Sequence, residues 1–361
     1  MSQVFYRKFR PDRFSKMVGQ SAVTKLLTQS CTKDFFHHAY LMAGHSGSGK
    51  TTAARILAMV VNCVDRKPGE AHPCGKCHAC TLIQEGSSID VRELDGATDG
   101  GKEEIKRIVE SSLFDPSELK KKVFIIDEAH ELSSAAISSL LKPTEEPNSN
   151  VMYILCTSEY AKIPVAIASR CMRLNFAPLS TDVIAGYLHR LCAYLKRECT
   201  MDACNQIACI SNGNMRYALN YLQSMMVNVD GEIDGDSARE FLGLIGREDL
   251  YDLAFAIAKG KAGTALDILE SFLVTSPDVV TMLYHLSEIF RNSMLVRNGA
   301  TVATKISNVE QQKIKDLAGE LGDEVDHFVE AFTECYRQIS LNSNKKWVLQ
   351  SLVSILCRKA V

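Results

Sequence analysis

The chain has 361 residues, 46% of them hydrophobic, enough apolar material for two or three packed domains. Lys and Arg number 41 against 43 Asp and Glu, a net charge of -2; this argues against a broad basic surface, so any nucleic-acid contact must come from a local patch or a ring of subunits. No stretch approaches the ~20 apolar residues of a membrane span, and the opening Met1-Ser-Gln-Val-Phe-Tyr-Arg-Lys lacks the apolar core of a signal peptide, so a cytoplasmic protein without a membrane partner is expected.

Residues 1–178 alternate short β-rich runs with helical patterns, which predicts an α/β domain with a mostly parallel sheet. Four runs read as buried strands: Ala39 to Met42, Asp90 to Leu94, Val123 to Ile126 and Met152 to Cys156. Directly after the first comes Gly44-His45-Ser46-Gly47-Ser48-Gly49-Lys50-Thr51, a match to G-x4-G-K-[ST], and a helical pattern from Thr52 to Val61 follows it. Backbone N–H groups and the positive end of that helix receive phosphates in such a loop. Lys50 is placed to neutralise the β and γ phosphates of a nucleotide, and Thr51 to put its hydroxyl on Mg2+.

Four cysteines come next, Cys63, Cys74, Cys77 and Cys80. Cys-x2-Cys-x2-Cys with a fourth thiol upstream supplies the ligand number of a closed tetrahedral Zn2+ site. The polar, turn-rich surroundings (Gly69, Glu70, Pro73, Gly75, Lys76) weigh against four buried apolar cysteines, while His72 and His78 stay open as substitutes for the fourth ligand. Most of the other cysteines stand singly in apolar runs, as reduced thiols do. Further on, Asp99-Gly-Gly-Lys102-Glu-Glu begins a helix whose N–H groups can hold a DNA phosphate; a solvated charged helix is the alternative reading.

The strand from Val123 ends in Asp127 and Glu128, suited to holding Mg2+ through water and polarising an attacking water, respectively. His130 reads as a structural neighbour. Thr157, with Ser158, forms a polar tip able to orient that water. Arg170 is either an exposed ion-pair residue or an arginine finger acting on a neighbouring subunit, and Arg216 opens a helix from which it can reach a γ-phosphate. From Ser180 to about Met226 the apolar spacing turns helical, interrupted at Ser211-Asn-Gly-Asn214. A polar stretch from Asn228 to Asp236 leads to about 120 residues with helical periodicity and no strand signal, in which Met282, Leu283, Leu286, Ile289 and Phe290 form a core or interface stripe.

Together these motifs carry a resemblance. The opening Tyr6 to Gln20, His37-His-Ala-Tyr-Leu41, the four cysteines, Asp127-Glu-Ala-His130, Leu140-Leu-Lys142 with Glu145-Glu-Pro147, and Ile163-Pro through Ser169-Arg-Cys171 resemble the tau/gamma subunits of the bacterial DNA polymerase III clamp loader. The resemblance is dense over residues 1–225 and thinner to the end. It implies an AAA+ P-loop ATPase domain (1–178) with a zinc-binding insertion (63–80), a small helical lid (179–242) and an all-helical collar (243–361). It implies ATP, Mg2+ and Zn2+, and a five-subunit ring with related subunits, including several copies of this chain, that loads a sliding clamp onto primed DNA. By this resemblance Lys50 and Thr51 are the Walker A pair, Asp127 and Glu128 the Walker B pair, Thr157 sensor 1, Arg170 the finger and Arg216 sensor 2, while Arg10, Pro11 and Val18 fall where the family contacts adenine. Two positions depart from the pattern: Pro143 is expected to disturb the exit of its helix, and Tyr217 stands where an aspartate is usual. A helicase-like AAA+ ring and a non-hydrolysing scaffold subunit are the alternatives; intact Lys50, Thr51, Asp127 and Glu128 disfavour the scaffold.

Overall fold

Among the described residues five runs, one more than expected, form strands: β1 (Ala39–Gly44), β2 (Val91–Asp95), β3 (Lys122–Asp127), β4 (Val151–Thr157) and β5 (Met172–Phe176). In this computed structural model, which describes residues 3–146, 148–242, 247–275, 279–300, 308–341 and 344–359, they make one parallel sheet in the order β2-β3-β4-β1-β5. β5 escapes a search for apolar runs because it is an edge strand: Leu174 and Phe176 point inward while Arg173 and Asn175 are exposed. The Arg173 guanidinium lies 3.6 Å from the centre of the Tyr160 ring, covering that edge.

The inner strands are apolar throughout because both faces are covered. Tyr40, Met42, Val123, Ile125, Met152, Ile154 and Cys156 point to one side. Ala39, Leu41, Phe124, Ile126, Val151, Tyr153 and Leu155 point to the other. In chain order the helices are α1 (Phe5–Lys8), α2 (Ser21–Thr32), α3 (Lys50–Asn62), α4 (His78–Glu85), α5 (Gly96–Asp99), α6 (Lys102–Ser111), α7 (Ser134–Glu145) and α8 (Val165–Ala168). α2, α3 and α4 supply Leu27, Leu57 and Ile83 to the first core; α6, α7 and α8 supply Ile105, Leu140 and Ile167 to the second.

Pro143 does not end α7. The helix runs two residues past it, with Glu146 N donating to the Lys142 carbonyl at 2.9 Å. The Thr144 hydroxyl donates back to the Leu140 carbonyl at 2.8 Å. A proline this close to a helix end disturbs few bonds, since only the Ser139 carbonyl loses an N–H partner.

Three helices follow: α9 (Thr181–Tyr194), α10 (Met201–Ile210) and α11 (Met215–Asn228). Their apolar faces close on one another through Leu188, Cys192, Ile207, Leu219 and Leu222. Thr200 and Asn214 cap α10 and α11, each accepting backbone N–H groups of the first turn. Far from being a plain linker, the polar stretch buries Ile233, which bridges to Cys199.

α12 (Gly235–Leu242) contains the division between two compact units, Met1–Ala238 and Arg239–Val361. The expected boundary after residue 242 borders residues 243–246, which, like Pro147 of the Glu-Glu-Pro run, lie outside the described residues. The second unit is helical throughout its described residues: α13 (Arg247–Ala258), α14 (Ala262–Thr275), α15 (Val279–Arg297), α16 (Asn308–Leu321), α17 (Val325–Leu341) and α18 (Lys345–Lys359). The stripe on α15 is core: Leu283, Leu286 and Phe290 are fully buried, and Phe290 stacks on Phe328 at 5.4 Å between ring centres. No described helix is long and apolar enough to cross a membrane.

Candidate functional site

Strand order builds the site. β4 lies between β1 and β3, with Ala43 opposite Thr157 and Ile126 opposite Leu155, so the loop after β1 and the acids after β3 flank the tip of β4. This is the carboxyl edge of a parallel sheet, where α/β proteins place ligands.

Gly44 to Gly49 wrap the start of α3, and the chain enters the helix from Gly49 in the left-handed region at φ 103°. The Lys50 ammonium is buried and donates to the carbonyls of Gly44 at 2.8 Å and His45 at 3.1 Å, so it lies folded against the loop. The Thr51 hydroxyl donates to Asp127 Oδ2 at 2.7 Å. Hydroxyl and carboxylate, 76 residues apart in the chain, thus converge as hard oxygen ligands for Mg2+, and the donor set fits that ion.

Glu128 sits at φ 45°, ψ 47°, a left-handed conformation that a non-glycine residue adopts at a cost. Its Oε2 accepts from the Ser158 hydroxyl at 2.8 Å and the Ser158 N–H at 3.2 Å. Gly96 lies against its carbonyl so closely that a Cβ there would come within 2.5 Å of the oxygen. The Thr157 side chain is buried with its hydroxyl 3.2 Å from His130 Nδ1, and the same oxygen accepts from Glu159 N at 3.0 Å. His130 belongs to this network: its Nδ1 is also 3.4 Å from Glu128 Oε2. Sequence reading missed Ser158 as the partner of Glu128, since the contact crosses from β4 to β3.

A cavity of about 220 Å3 opens over the loop, lined by Ser46 to Thr52, Asp127 and Glu128 on the polar side and by Arg10, Pro11 and Val18 on the other. His45 is exposed; its carbonyl accepts from Ser48 N at 3.3 Å and from Lys50 Nζ. Tyr6, Phe9, Met17, Leu179, Tyr187 and Leu219 add an apolar wall. No local signal points to Leu179, Tyr187 or Leu219, because they reach the cavity only through the packing of α9 and α11. Asp95, also lining it, is brought level with Asp127 by strand pairing. Burial, followed by the nearby Arg55 cation, lowers the pKa of Arg10, and Arg216 adds to the effect. Several cations around one cavity suit a polyanion.

The N-terminus of α11 closes over the loop. Met215 N donates to the Gly47 carbonyl at 3.3 Å, and a Cβ on Gly47, at φ 71°, would fall 1.8 Å from Asn214 Oδ1. Arg216 lines the cavity with its guanidinium 5.6 Å from the centre of the Tyr6 ring. Tyr217 is exposed, its N–H bonded to Asn214. Arg170 stands apart: it pairs with Glu145 at 3.2 Å and does not line the cavity of its own chain. Lys102 is exposed at the start of α6, whose first turn also carries Glu103 and Glu104.

The four cysteine sulfurs of Cys63, Cys74, Cys77 and Cys80 lie within 4.8 Å of one another, a set that does not include His72 or His78. Cys74 and Cys80 are 4.0 Å apart and Cys63 and Cys77 3.9 Å, against about 3.8 Å for sulfurs at the corners of a zinc tetrahedron. Backbone N–H groups point at them, Cys74 N at Cys63 Sγ (3.2 Å) and Cys77 N at Cys74 Sγ (3.2 Å). The thiols differ: burial raises the pKa of Cys74 and Cys80, whereas at Cys77 N–H groups of Cys80 and Val64 outweigh burial and bring the thiol down to about 6. The donor set therefore fits a metal ion. Asn62 and Lys120 tie the segment's start to the β3 side, through Lys121 N to Asn62 Oδ1 (2.8 Å) and Lys120 Nζ to the Cys63 carbonyl (2.9 Å).

The family model described as DNA polymerase III, delta subunit, matches residues 19–180, and that of DNA polymerase III subunits gamma and tau domain III matches residues 233–329. DNA polymerase III subunit gamma of Buchnera aphidicola (Schizaphis graminum) is 34% identical over 69% of this chain and 68% of that protein. Its counterpart from the Acyrthosiphon pisum symbiont is 30% identical over 79% and 80%. DNA polymerase III subunit tau of Bacillus subtilis is 34% identical over 90% of this chain but 56% of its own length, so the chain spans about half of such longer relatives. The solved Thermotoga maritima RuvB, at 16% identity and a TM-score of 0.49 over 85% of this chain and 98% of that one, is too distant to argue from. On the strength of the gamma relatives it matches over most of their length, the chain belongs to the DNA polymerase III gamma/tau subunit family.

Proposed function

We propose that this chain is the ATP-hydrolysing motor subunit of a DNA polymerase clamp loader, acting in the cytoplasm to load a sliding clamp onto primed DNA. The observation that carries the reading is the convergence of Lys50, Thr51, Asp127 and Glu128 on one cavity in a member of this family. ATP is the substrate, its adenine against Arg10, Pro11 and Val18 and its phosphates on the N–H groups of Gly44 to Thr52. Lys50 leaves the loop carbonyls to neutralise the β and γ phosphates. Mg2+, when bound, supplies charge neutralisation of the phosphate oxygens, held by the Thr51 hydroxyl and by Asp127 through water. Glu128 orients and polarises the attacking water, and Ser158 and His130 fix its carboxylate. Thr157 sets the far side of that network. Arg216 turns from Tyr6 to the γ-phosphate, so that α11 follows the nucleotide state.

Arg170, which does not line its own chain's cavity, serves as the finger for a neighbouring subunit in a five-membered ring containing several copies of this chain. The four cysteines hold Zn2+ as a structural clip. Primed DNA meets the ring through local patches, the start of α6 among them, because the overall charge supplies no field. In a reconstituted loader, Lys50→Ala should abolish clamp loading and the ATPase stimulated by clamp and primed DNA. Loading at the wild-type rate by that variant would overturn the proposal.

A further inference from the structure

Apart from the zinc-type cluster, the lid region holds a second convergence of thiols. Cys192 on the last turn of α9, Cys199 in the connection and Cys204 on α10 place their sulfurs within 4.8 Å of one another, with Cys199 and Cys204 3.5 Å apart. They are 1%, 8% and 0% exposed, so the group lies beneath the surface with Cys199 at its edge. All three thiols are free.

Backbone hydrogen bonds fix the scaffold around them. Cys199 is held by a two-way backbone bridge, Ile233 N to the Glu198 carbonyl at 3.0 Å and Thr200 N to the Ile233 carbonyl at 2.9 Å. Arg197 N donates to the Cys192 carbonyl at 3.0 Å. Cys199 and Cys204 flank the first turn of α10, whose cap Thr200 accepts from Ala203 N at 3.2 Å. An apolar contact across a helix start needs only the pair Cys199 and Cys204; the third sulfur is unexplained by it.

We propose that Cys192, Cys199 and Cys204 form a three-sulfur binding site for a soft monovalent cation of the Cu(I) class. Sulfur donors select soft ions, and among the described residues no fourth His, Cys, Asp or Glu joins the group to complete a zinc tetrahedron. Binding replaces S–H bonds by Cu–S bonds and releases the displaced protons to solvent; copper enters and stays as Cu(I), so no electron moves. The bound ion clips α9 to α10 and to the strand-like segment at Ile233.

The test is anaerobic titration of the full chain with Cu(I) against a chromophoric Cu(I) chelator, comparing wild type with Cys204→Ser. The four-cysteine cluster is present in both and cancels. Wild type should take up one equivalent more than the variant and gain thermal stability that the variant lacks. Cys199→Ser, at the edge of the group, gives a second comparison if Cys204→Ser fails to fold. Equal uptake by wild type and folded variants, or a difference seen with Zn2+ but not Cu(I), would overturn the assignment.

Discussion

Glu128 concentrates the chemistry assigned to single residues. A left-handed glutamate costs roughly 1–3 kcal/mol, and here the surroundings that hold it are visible: Gly96 under its carbonyl and Ser158 on its carboxylate. Glu128→Gln keeps the shape and hydrogen bonding while removing the base. It should leave ATP affinity within about twofold and lower kcat by about 10²–10⁴-fold, the usual range for such a group. Equilibrium binding of a fluorescent ATP analogue and steady-state hydrolysis measure the two effects, and a kcat within threefold of wild type would remove Glu128 from its role. At this scale the candidate site was partly legible in the sequence. Lys50 and Thr51 are neighbours inside one motif, and Asp127 and Glu128 end one apolar run. Ser158 was legible as part of a polar tip but not as the partner of Glu128, and Asp95 and Tyr187 were illegible because they meet the cavity only through strand pairing or helix packing.

Elements differ in how plainly they announce themselves. β1, β3 and β4 are buried on both faces and therefore apolar at every inner position, whereas β5 alternates because one face meets solvent, and its shortness hid the alternation. Pro143 misled in the other direction, since a helix in its last turn has little bonding left for proline to break. The cysteine segment is legible in spacing, yet its choice of four sulfurs over His72 or His78 came from three-dimensional placement. Zinc analysis of untreated protein should find about one equivalent, and Cys77→Ser should lose it. That variant should also melt lower by about 4 °C or more, the shift that roughly 1–2 kcal/mol produces in a domain of this size. Full zinc content in Cys77→Ser would contradict the four-sulfur set.

On the scale of the whole molecule, the two compact units each own a core, so damage to one should leave the other working. Leu286, fully buried on α15, tests this: Leu286→Ala should destabilise the second unit by about 2–5 kcal/mol. Calorimetry should show one transition moved down, with nucleotide affinity unchanged within about twofold; a loss of nucleotide binding would mean that the units do not fold independently. What the sequence determined by itself was the chemistry present and the class of fold. A phosphate loop, an acid-tipped strand and a cysteine run are each contiguous, and helical or strand periodicity is a local consequence of backbone geometry. Tertiary structure alone decided which of these pieces face one another: Thr51 on Asp127, Ser158 on Glu128, Gly47 beneath Asn214, and three thiols of α9, α10 and their connection in one group. Such meetings depend on strand order and helix packing, which set distances between residues remote in the chain and leave no mark on the residues between them.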